Sequence, residues 1–551
     1  MSLQRPDLTG KDSFHLFEMD VGGRVYRYCD GPTDQTVTDN ASRSFVYRRG
    51  LGFSPISVGS GVGTEASATI TVNDPTDWAS LESAGDYLDQ RKATIRRFFV
   101  GQKLEETGLI LSGLTGGIQY GATEEPLTLT VRRGLRSGSL VVPRPLAVVD
   151  LITWPNSTGG GAPSTWSHDE RIRGASYPLL FGYGGDRAGT SATPRPVAPA
   201  LIVKESDDAA DTADLLLVAG HRITASQVTI FDYSDALLSV IASIAVTHQK
   251  DGLGRTCAVV DTAGSALAPI AKGKAYYQGH TAALGGGLAD PRTGSLLRGA
   301  GSVLRYMLET YTDADIDGPR MDAAADALDA YKIDCAIYQP TQAVDWVNSE
   351  LIPLLPVTLR QSEAGIYPQI WKWDAEKTAS VNHIDADKGQ CRRVGALVRS
   401  GDVKNEFAIQ YRQDAATGNF GHTASLTGDV GFQRGGLGED QGSTDSRTYG
   451  SRLCAASQAR WGVLPAGVLQ SGILWDAATA NLVLQWMAAR DAWPRRVVRY
   501  EAEPDWEYLS LGDVLRVTDA EVSLTAHLAI VADLTPGPRS VLLDLVLLDR
   551  P

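Results

Sequence analysis

Cysteine is scarce in this sequence. Five of the 551 residues are cysteines, and no two of them lie within four positions of each other. Local zinc sites use closely spaced cysteine pairs, so this spacing excludes such sites. An odd, sparse cysteine count is typical of chains that fold in a reducing compartment. We predict that Cys29, Cys257, Cys335, Cys391 and Cys454 are buried free thiols, the alternative being a cluster assembled from distant positions.

Long apolar runs are also lacking. No stretch approaches the roughly 18 consecutive apolar residues that identify a membrane-spanning helix. The N-terminal stretch MSLQRPDLTGKDSF has no apolar segment of the kind that a secretory signal requires. The apolar stretch over 540–549 is short and is interrupted by Asp544, which indicates a buried strand. We therefore expect neither a membrane span nor a secretory signal.

Clustered positive charge is missing as well. The formal net charge is −14, and no basic run breaks this acidic balance. Two basic spots, at 91–97 and 495–499, are interleaved with apolar residues, which is typical of solvated strand faces. Proteins that grip nucleic-acid phosphates need Lys and Arg gathered on one face. We expect no sequence-specific binding to nucleic acid.

The familiar catalytic motifs are absent. The chain has no GxxxxGK[ST] phosphate loop, no GxSxG nucleophile elbow and no HExxH zinc motif. The stretch GSGVGTE at 59–65 lacks the spacing and the strand–helix setting of a dinucleotide site, so a hairpin turn explains it better. The 65 acidic residues contain no pair that sequence alone singles out for glycoside hydrolysis. We predict no catalytic, cofactor-binding or metal-binding residues, no cofactor and no enzymatic activity.

One acidic stretch, DADIDGPRMDAAAD, matches the first half of a calcium-binding EF-hand loop. The matching residues are Asp313, Asp315, Asp317 and Gly318. Position 12 of such a loop supplies a bidentate glutamate, and Ala324 stands there instead. The alternative is an acidic turn that leads into a helix, with Asp322 near the helix start and favourably placed in the helix dipole. We favour this alternative.

Short alternating segments dominate what the sequence does contain, and 57 glycines separate them. The stretch NEFAIQYRQDAATGNF at 405–420 is the clearest example, with half of a hairpin followed by turn residues at 414–419. The alternation predicts one buried face formed by Phe407, Ile409 and Tyr411 and an opposite face formed by Ala408, Gln410 and Arg412. Such patterns predict a β-rich protein with tight turns.

Helical periodicity occurs in two places. In 301–356, apolar residues recur with a spacing of three and four, most clearly at Ala343, Val344, Val347, Leu351 and Ile352. Near the C-terminus, an Ala-rich helix is predicted to begin after Asp476 as N-cap and to end before Pro494.

We therefore predict a mainly β (α+β) fold with several β-barrel or sandwich domains, a short helical segment in the middle and one Ala-rich helix near the C-terminus. The length requires several domains. The predicted domains are an N-terminal β-barrel over 13–145, an irregular Gly/Pro-rich connection over 146–199, a small inserted β domain over 200–300, a helical segment over 301–356 and a C-terminal β-barrel with one helix over 357–551. The apolar segment YPLLFG within the connection is predicted to be buried.

Several stretches are similar to one protein family. The C-terminal region has a helix, a strand after Arg495-Arg496 and then LSLGDVLRVTD at 509–519. Upstream lie GIYPQIWKW and YPLLFGYGG, and the N-terminal region contains YRYCD and RGLGFSPISVGSG. Together these stretches resemble tail hub and tail-tip proteins of bacteriophages and gene-transfer particles. The matching pieces are architectural and contain no catalytic signature, and residues 200–300 match nothing in that family.

The resemblance implies an assembly role. Hubs of this family form trimers at the tip of the tail tube, and the two related barrels of each chain build a pseudo-six-fold ring. In this chain, 13–145 and 357–551 would be the hub-type barrels. Expected partners are a distal tail or tube protein, a tape-measure protein and tip fibre or spike proteins. The expected location is the virion tail tip or baseplate, after synthesis in the host cytoplasm.

Three further hypotheses accompany this interpretation. The ring would line the channel through which DNA leaves, and acidic residues there would let DNA pass without adhering. The turn at 414–419 would project towards a neighbouring subunit. The alternative function is a tail-tip enzyme or a protein that binds a receptor or cell-wall glycan, with 200–300 as the binding module. This region has no Trp and few aromatic residues, namely Phe231, Tyr233, Tyr276 and Tyr277.

Overall fold

The structure of the protein is a computed structural model. It describes residues 13–21, 23–53, 66–73, 78, 81, 87–89, 91–119, 126–133, 141–142, 175–183, 196–204, 215–234, 237–251, 254–261, 275–279, 285–312, 314–362, 365–372, 382–395, 398–400, 402–427, 431–436, 449–509, 512–536 and 540–548. Within these ranges strands far outnumber helices.

The N-terminal region forms one nine-stranded sheet. Its strands are β1 (Ser13–Val21), β2 (Arg24–Cys29), β3 (Gln35–Thr38), β4 (Ser44–Arg49), β5 (Leu51–Phe53), β6 (Ala66–Val72), β7 (Lys92–Phe99), β8 (Gly108–Gln119) and β9 (Leu127–Arg133). Their order across the sheet is β3-β4-β2-β1-β7-β8-β9-β6-β5. Successive strand side chains point to opposite faces, so Phe17 joins the larger of two cores while Leu16 joins the smaller one.

The middle of the chain contains a closed six-stranded barrel. Before it lie two short strands, β10 (Val141–Val142) and β11 (Leu179–Phe181). The barrel strands are β12 (Ala198–Lys204), β13 (Leu215–Ala219), β14 (Gln227–Ser234), β15 (Leu237–Lys250), β16 (Thr256–Asp261) and β17 (Ala275–Gly279), in the order β12-β13-β16-β15-β14-β17. β13 is the sequence LLLVA, and all five residues are buried, which explains why it reads as a continuous apolar run.

A helical segment and a short sheet follow. These elements are α1 (Ala300–Tyr311), α2 (Gly318–Leu328), β18 (Cys335–Ile337), β19 (Thr341–Gln342) and α3 (Ala343–Trp346), which continues as a π turn over Val347–Leu351 and a 3₁₀ turn over Ile352–Leu354. β18 pairs with β11, and β19 pairs with β10. α1 and α2 approach closely at Gly301, because a Cβ there would lie 2.4 Å from the Ala325 Cα.

The C-terminal third is again β-rich. Its elements are β20 (Val357–Ser362), β21 (Gly365–Ile370), β22 (Asn382–Asp385), β23 (Cys391–Arg393), β24 (Val398–Ser400), β25 (Glu406–Gln413), β26 (Phe420–Thr427), β27 (Gly431–Gly436), α4 (Tyr449–Trp461), β28 (Pro465–Gln470), α5 (Ala477–Asp491), β29 (Arg495–Ala502), β30 (Val514–Asp519), β31 (Leu524–Pro536) and β32 (Val541–Leu547). One sheet has the order β22-β30-β31-β32-β29-β23, with β24 also paired to β29. A second sheet has the order β27-β26-β25-β28.

The chain forms two compact units, each built from separate segments. The first unit comprises Met1–Arg136, Pro356–Val403 and Trp493–Pro551. The second comprises Ser137–Leu355 and Lys404–Ala492. The predicted domains follow the chain, whereas these units are discontinuous: residues 404–492, assigned from sequence to the C-terminal β region, belong to the second unit. The assignment of hub-type barrels to 13–145 and 357–551 stays a prediction.

The mainly β fold class is confirmed. The closed barrel, the helical segment around α1 and α2 and the Ala-rich helix α5 are all present. Burial of Tyr177, Leu179, Leu180 and Phe181 agrees with the prediction for YPLLFG. The elements that the sequence did not predict include the strand β17 and the helix α4. The prediction of solvated basic strand faces is wrong for Arg97, which is only 2% exposed.

Candidate functional site

A polar cavity of about 530 Å³ lies in the second unit, between α1, α2 and the segment over 290–299. Charged residues of both signs line it, including Arg292, Arg298, Asp329 and Lys332. The segment over 290–299 reaches this place because Leu297 pairs its backbone with Leu288 and with Gly182. Its chemistry depends on which of these charges are free to meet a ligand.

The most deeply buried charge pair is Arg298 with Asp334. Their side chains are 7% and 2% exposed, and two contacts of 2.6 Å join the guanidinium to the two carboxylate oxygens. Asp334 also accepts the Tyr183 backbone N–H at 2.7 Å, and the Tyr183 ring lies 5.3 Å from the guanidinium carbon. Buried charges persist when they are paired and hydrogen-bonded in this way. The pair therefore ties three segments of the second unit together.

Arg292, the other arginine that lines the cavity, is also paired within the protein. Arg292 contacts Asp290 at 3.2 Å and Asp322 at 2.9 Å. Arg305 binds the same Asp322 carboxylate, together with Glu309 at 2.5 Å. Fixed acidic partners thus occupy the guanidinium donors that would otherwise bind an anionic ligand.

Ser302 is a hydroxyl in this cavity, but its environment is not that of a nucleophile. Its Oγ donates to Asp329 Oδ2 at 2.7 Å, and its backbone N–H donates to Asp329 Oδ1 at 2.9 Å. Asp329 thereby accepts a hydrogen bond from an amide in the first turn of α1 that has no acceptor within the helix. The N-cap residue next to the helix normally plays this part. The Lys332 ammonium donates to the Asp329 carbonyl oxygen. Asp329 therefore caps the first turn of α1, and Ser302 is the residue whose amide and hydroxyl it holds.

The EF-hand-like stretch serves the same purpose. Asp317 is the N-cap of α2, and its carboxylate accepts the Arg320 backbone N–H at 3.3 Å. Asp322, expected to act through the helix dipole, binds Arg292 and Arg305. Asp313 lies outside the described residues. Within the described ranges, no three His, Cys, Asp or Glu side chains are grouped as metal ligands.

The hairpin at 405–420 follows the predicted alternation with one exception. Phe407, Ile409 and Tyr411 are buried, as predicted. Arg412 was expected on the face opposite to these three residues, yet it is only 6% exposed and has a φ of 59°. Its Nε donates to the Trp475 carbonyl at 2.7 Å, and its NH1 contacts His422 Nε2 at 2.9 Å. The left-handed backbone at this position turns the side chain inward, which a two-residue period does not predict.

The turn of this hairpin is held by its own chain. The Asp414 carboxylate accepts the backbone N–H groups of Ala416 and Thr417 at 2.9 and 3.1 Å. The Ala415 N–H donates to the Pro196 carbonyl at 3.2 Å. Residues 417–419 at the tip are exposed. The orientation of this tip towards a neighbouring subunit stays a prediction.

All five cysteines are buried and free, as predicted. Burial raises the pKa of Cys454 to about 12 and the pKa of Cys391 to about 12, the latter helped by two nearby carboxylates. The pKa of Cys335 is also well above its usual value because of burial. The reactive form of cysteine is the thiolate, so these groups are unreactive core residues.

Two histidines hold the loop after β13. His221 Nε2 accepts the Leu180 N–H at 3.0 Å, which requires the proton to sit on Nδ1, where the ring contacts the Arg222 carbonyl at 2.8 Å. Burial lowers the pKa of His221 to about 4. His248 Nε2 accepts the Ile223 N–H at 3.3 Å, and burial lowers its pKa as well. Both rings are thus neutral acceptors for backbone amides.

The aromatic residues considered for glycan binding are divided between core and surface. Phe231 and Tyr276 are 3% and 4% exposed and belong to the buried part of the barrel. Tyr277 is half-buried, and the side chain of Tyr233 lies outside the described ones. The Gly-rich stretch at 59–65 and both Trp154 and Trp166 also lie outside the described residues. Among the described helices, none has the length and apolar character to cross a membrane.

No protein-family model matches the chain, and no curated protein matches it. The solved structures that are similar to the chain include the following two. One is a chain of the virion of a native gene transfer agent particle, 13% identical, with 55% of this chain and 84% of that chain covered and a TM-score of 0.19. The other is the 43 kDa tail protein of prophage MuSo2 from Shewanella oneidensis, 9% identical, with 97% and 98% covered and a TM-score of 0.32. Scores this low do not establish a shared fold.

Proposed function

We propose that this protein is a structural component of a phage tail tip. In this role it would resemble the trimeric baseplate hub, which adapts a six-fold tail tube to a three-fold tip and lines the DNA exit channel. The proposal starts from the sequence resemblance over the N-terminal, central and C-terminal stretches. It assigns the chain to the virion, with tube, tape-measure and fibre or spike proteins as neighbours.

One structural observation carries the proposal. The first unit groups the N-terminal nine-stranded sheet with the C-terminal sheet formed around β29 to β32, and each sheet has its own apolar core. A hub needs two β modules from one chain to build a ring of pseudo-six-fold symmetry from three chains.

Sheet edges give a physical reason for assembly. The nine-stranded sheet ends at β3 and β5, and open strand edges expose amides and carbonyls that pair readily with other chains. Closed rings of like subunits cover such edges without open-ended growth. We therefore propose that the chain acts by assembly and not by catalysis.

The test is the mass of the purified full chain in solution. A trimer has a mass of about 177 kDa, three times the 58.9 kDa of one chain. A mass that stays at one or two chains up to micromolar concentration contradicts the trimeric assembly. Incubation with purified peptidoglycan tests the second half of the proposal, because release of soluble fragments contradicts a purely structural role.

A further inference from the structure

A positively charged groove lies between β2 and β4 in the first unit. These two strands run parallel but pair only at Tyr28–Arg48 and Cys29–Arg49. Ahead of this short ladder the strands separate and leave a cavity of about 340 Å³. Among the strand pairs that the structure describes, β2 has only β1 as a partner along Arg24–Arg27. One edge of β2 is therefore available to another strand.

The lining of this β2/β4 groove combines charge with exposed apolar surface. Arg24 and Arg48 are exposed on its rim. Val25 and Val46 also line it, and they are 38% and 55% exposed. None of the described residues that line the groove is acidic. This local surplus of positive charge contrasts with the net charge of −14 of the whole chain.

Arg27 closes the groove from the other side of the sheet. Its Nε donates to Glu18 Oε1 at 2.7 Å, and its guanidinium carbon lies 4.7 Å from the centre of the Phe45 ring. Arg27 thereby links β1, β2 and β4 and keeps the separation between the strands fixed. The groove is therefore a built feature of the sheet.

We propose that the β2/β4 groove binds an extended, acidic peptide segment of a partner protein by strand addition along β2. Main-chain hydrogen bonds to the open edge would supply affinity. Four strand residues span about 13 Å, so roughly four residues of the partner would be engaged. Acidic side chains at alternate positions would meet Arg24 and Arg48, which lie on one face of the sheet, and the intervening apolar side chains would cover Val25 on the opposite face.

A nucleic-acid strand fits this groove less well. Single-stranded nucleic acids bind through exposed aromatic faces and a row of cations. The tyrosines of the groove, Tyr26 and Tyr28, are only 9% and 1% exposed and pack against Trp78. Exposed valines contribute nothing to phosphate binding, whereas an extended peptide uses them together with the strand edge.

The test uses the full chain and fluorescence anisotropy with three labelled probes: a ten-residue peptide of alternating Glu and Val, its Lys–Val counterpart and a ten-nucleotide single strand of thymidines. We expect the Glu–Val peptide to bind and the Lys–Val peptide not to bind. Arg24→Glu or Arg48→Glu should each weaken binding about tenfold, because each reverses a charge that faces the acidic side chains. Lys103→Glu, the same charge change at an exposed site outside the groove, should leave affinity unchanged.

Three outcomes overturn the proposal: no binding of the Glu–Val peptide up to about 1 mM, tighter binding of the oligonucleotide, or equal losses in Lys103→Glu and the arginine variants. Val25→Ser is the second variant in case an arginine variant fails to fold: strand addition with apolar side chains over Val25 predicts weaker binding, whereas simple anion attraction predicts no change. Because the readout is peptide binding, the result is independent of whether the chain is a trimer.

Discussion

Removing one partner of the Arg298–Asp334 pair is expected to destabilise the second unit strongly. Arg298→Met keeps much of the aliphatic volume, but it removes the cation from a carboxylate that is only 2% exposed. Within the described part of the chain, the Tyr183 N–H then remains as a hydrogen-bond donor to Asp334. Breaking a buried pair in this way costs about 3–5 kcal/mol. Each 1.4 kcal/mol is a factor of ten in an equilibrium constant. The equilibrium between the closed state and the locally unfolded state of this region should therefore shift about a hundredfold or more towards the unfolded state.

Hydrogen exchange is the suitable assay, because a chain with two compact units does not have one well-defined unfolding free energy. The amides of β18 follow Asp334 directly and pair with β11, so their protection reports this region. We expect a loss of protection of at least about a hundredfold in Arg298→Met. The control is Arg392→Met, which removes an ion pair to Glu501 whose arginine is 80% exposed and should change protection less than about fivefold.

The reasoning is refuted if Arg298→Met and Arg392→Met change the exchange rates equally little. The double variant Arg298→Met/Asp334→Leu separates the loss of the pair from the burial of a lone charge. Since a buried pair replaced by apolar residues is often close to neutral, this variant should regain part of the protection. It should not regain all of it, because the Tyr183 N–H loses its acceptor.

Three further predictions concern other parts of the second unit. The pKa of His221 falls from 6.5 to about 4 on folding, so its contribution to the free energy of unfolding is complete above pH 6.5 and is lost as the pH falls towards 4. The melting temperature of His221→Gln should therefore depend less on pH over this range than that of the unchanged protein. Parallel curves of melting temperature against pH would contradict this prediction. A change from Gly to Ala normally stabilises a helix, but the Cβ added in Gly301→Ala would overlap the Ala325 backbone. We therefore expect the free energy of unfolding to fall by about 1–3 kcal/mol. A rise in stability would show that α1 and α2 can move apart without cost. Cys454, with a pKa of about 12, should react with a thiol reagent only after denaturation, and fast labelling of the native chain would disprove its burial.

Local patterns predicted the strands well because a strand has a simple period. Phe407, Ile409 and Tyr411 follow it, and all three are buried. Arg412 departs from it because a residue with positive φ reverses the direction of its side chain, and nothing in the sequence marks an arginine for that conformation. Strands were therefore easier to predict than the irregularities within them.

Helix α4 was missed for a different reason. Its buried positions include Ser451, Cys454 and Ser457, so the face that packs inward does not read as apolar. Gly450 in the same helix lies against Gln485 and Ala488 of α5, where a larger side chain would not fit. Tight packing of small polar residues has no hydrophobic period, and sequence analysis that relies on such a period does not find it.

The sequence also did not predict the division into two discontinuous units. β24 pairs with β29 although about a hundred residues separate them, and the whole of 404–492 is grouped with a different unit. Such pairings depend on contacts between distant segments, which local propensities do not contain. For the same reason the polar cavity, formed by residues over 183–332, was not predicted, although its acidic loop had been noticed.

The central claim is that this chain assembles as a three-fold hub at a tail tip. The most direct measurement is its copy number in purified tail particles, obtained by quantitative mass spectrometry against the tube protein of the same particles. The account predicts three copies per particle. Six or twelve copies would indicate a tube or distal-tail protein instead, and absence of the chain from the particles would contradict a structural role in the virion.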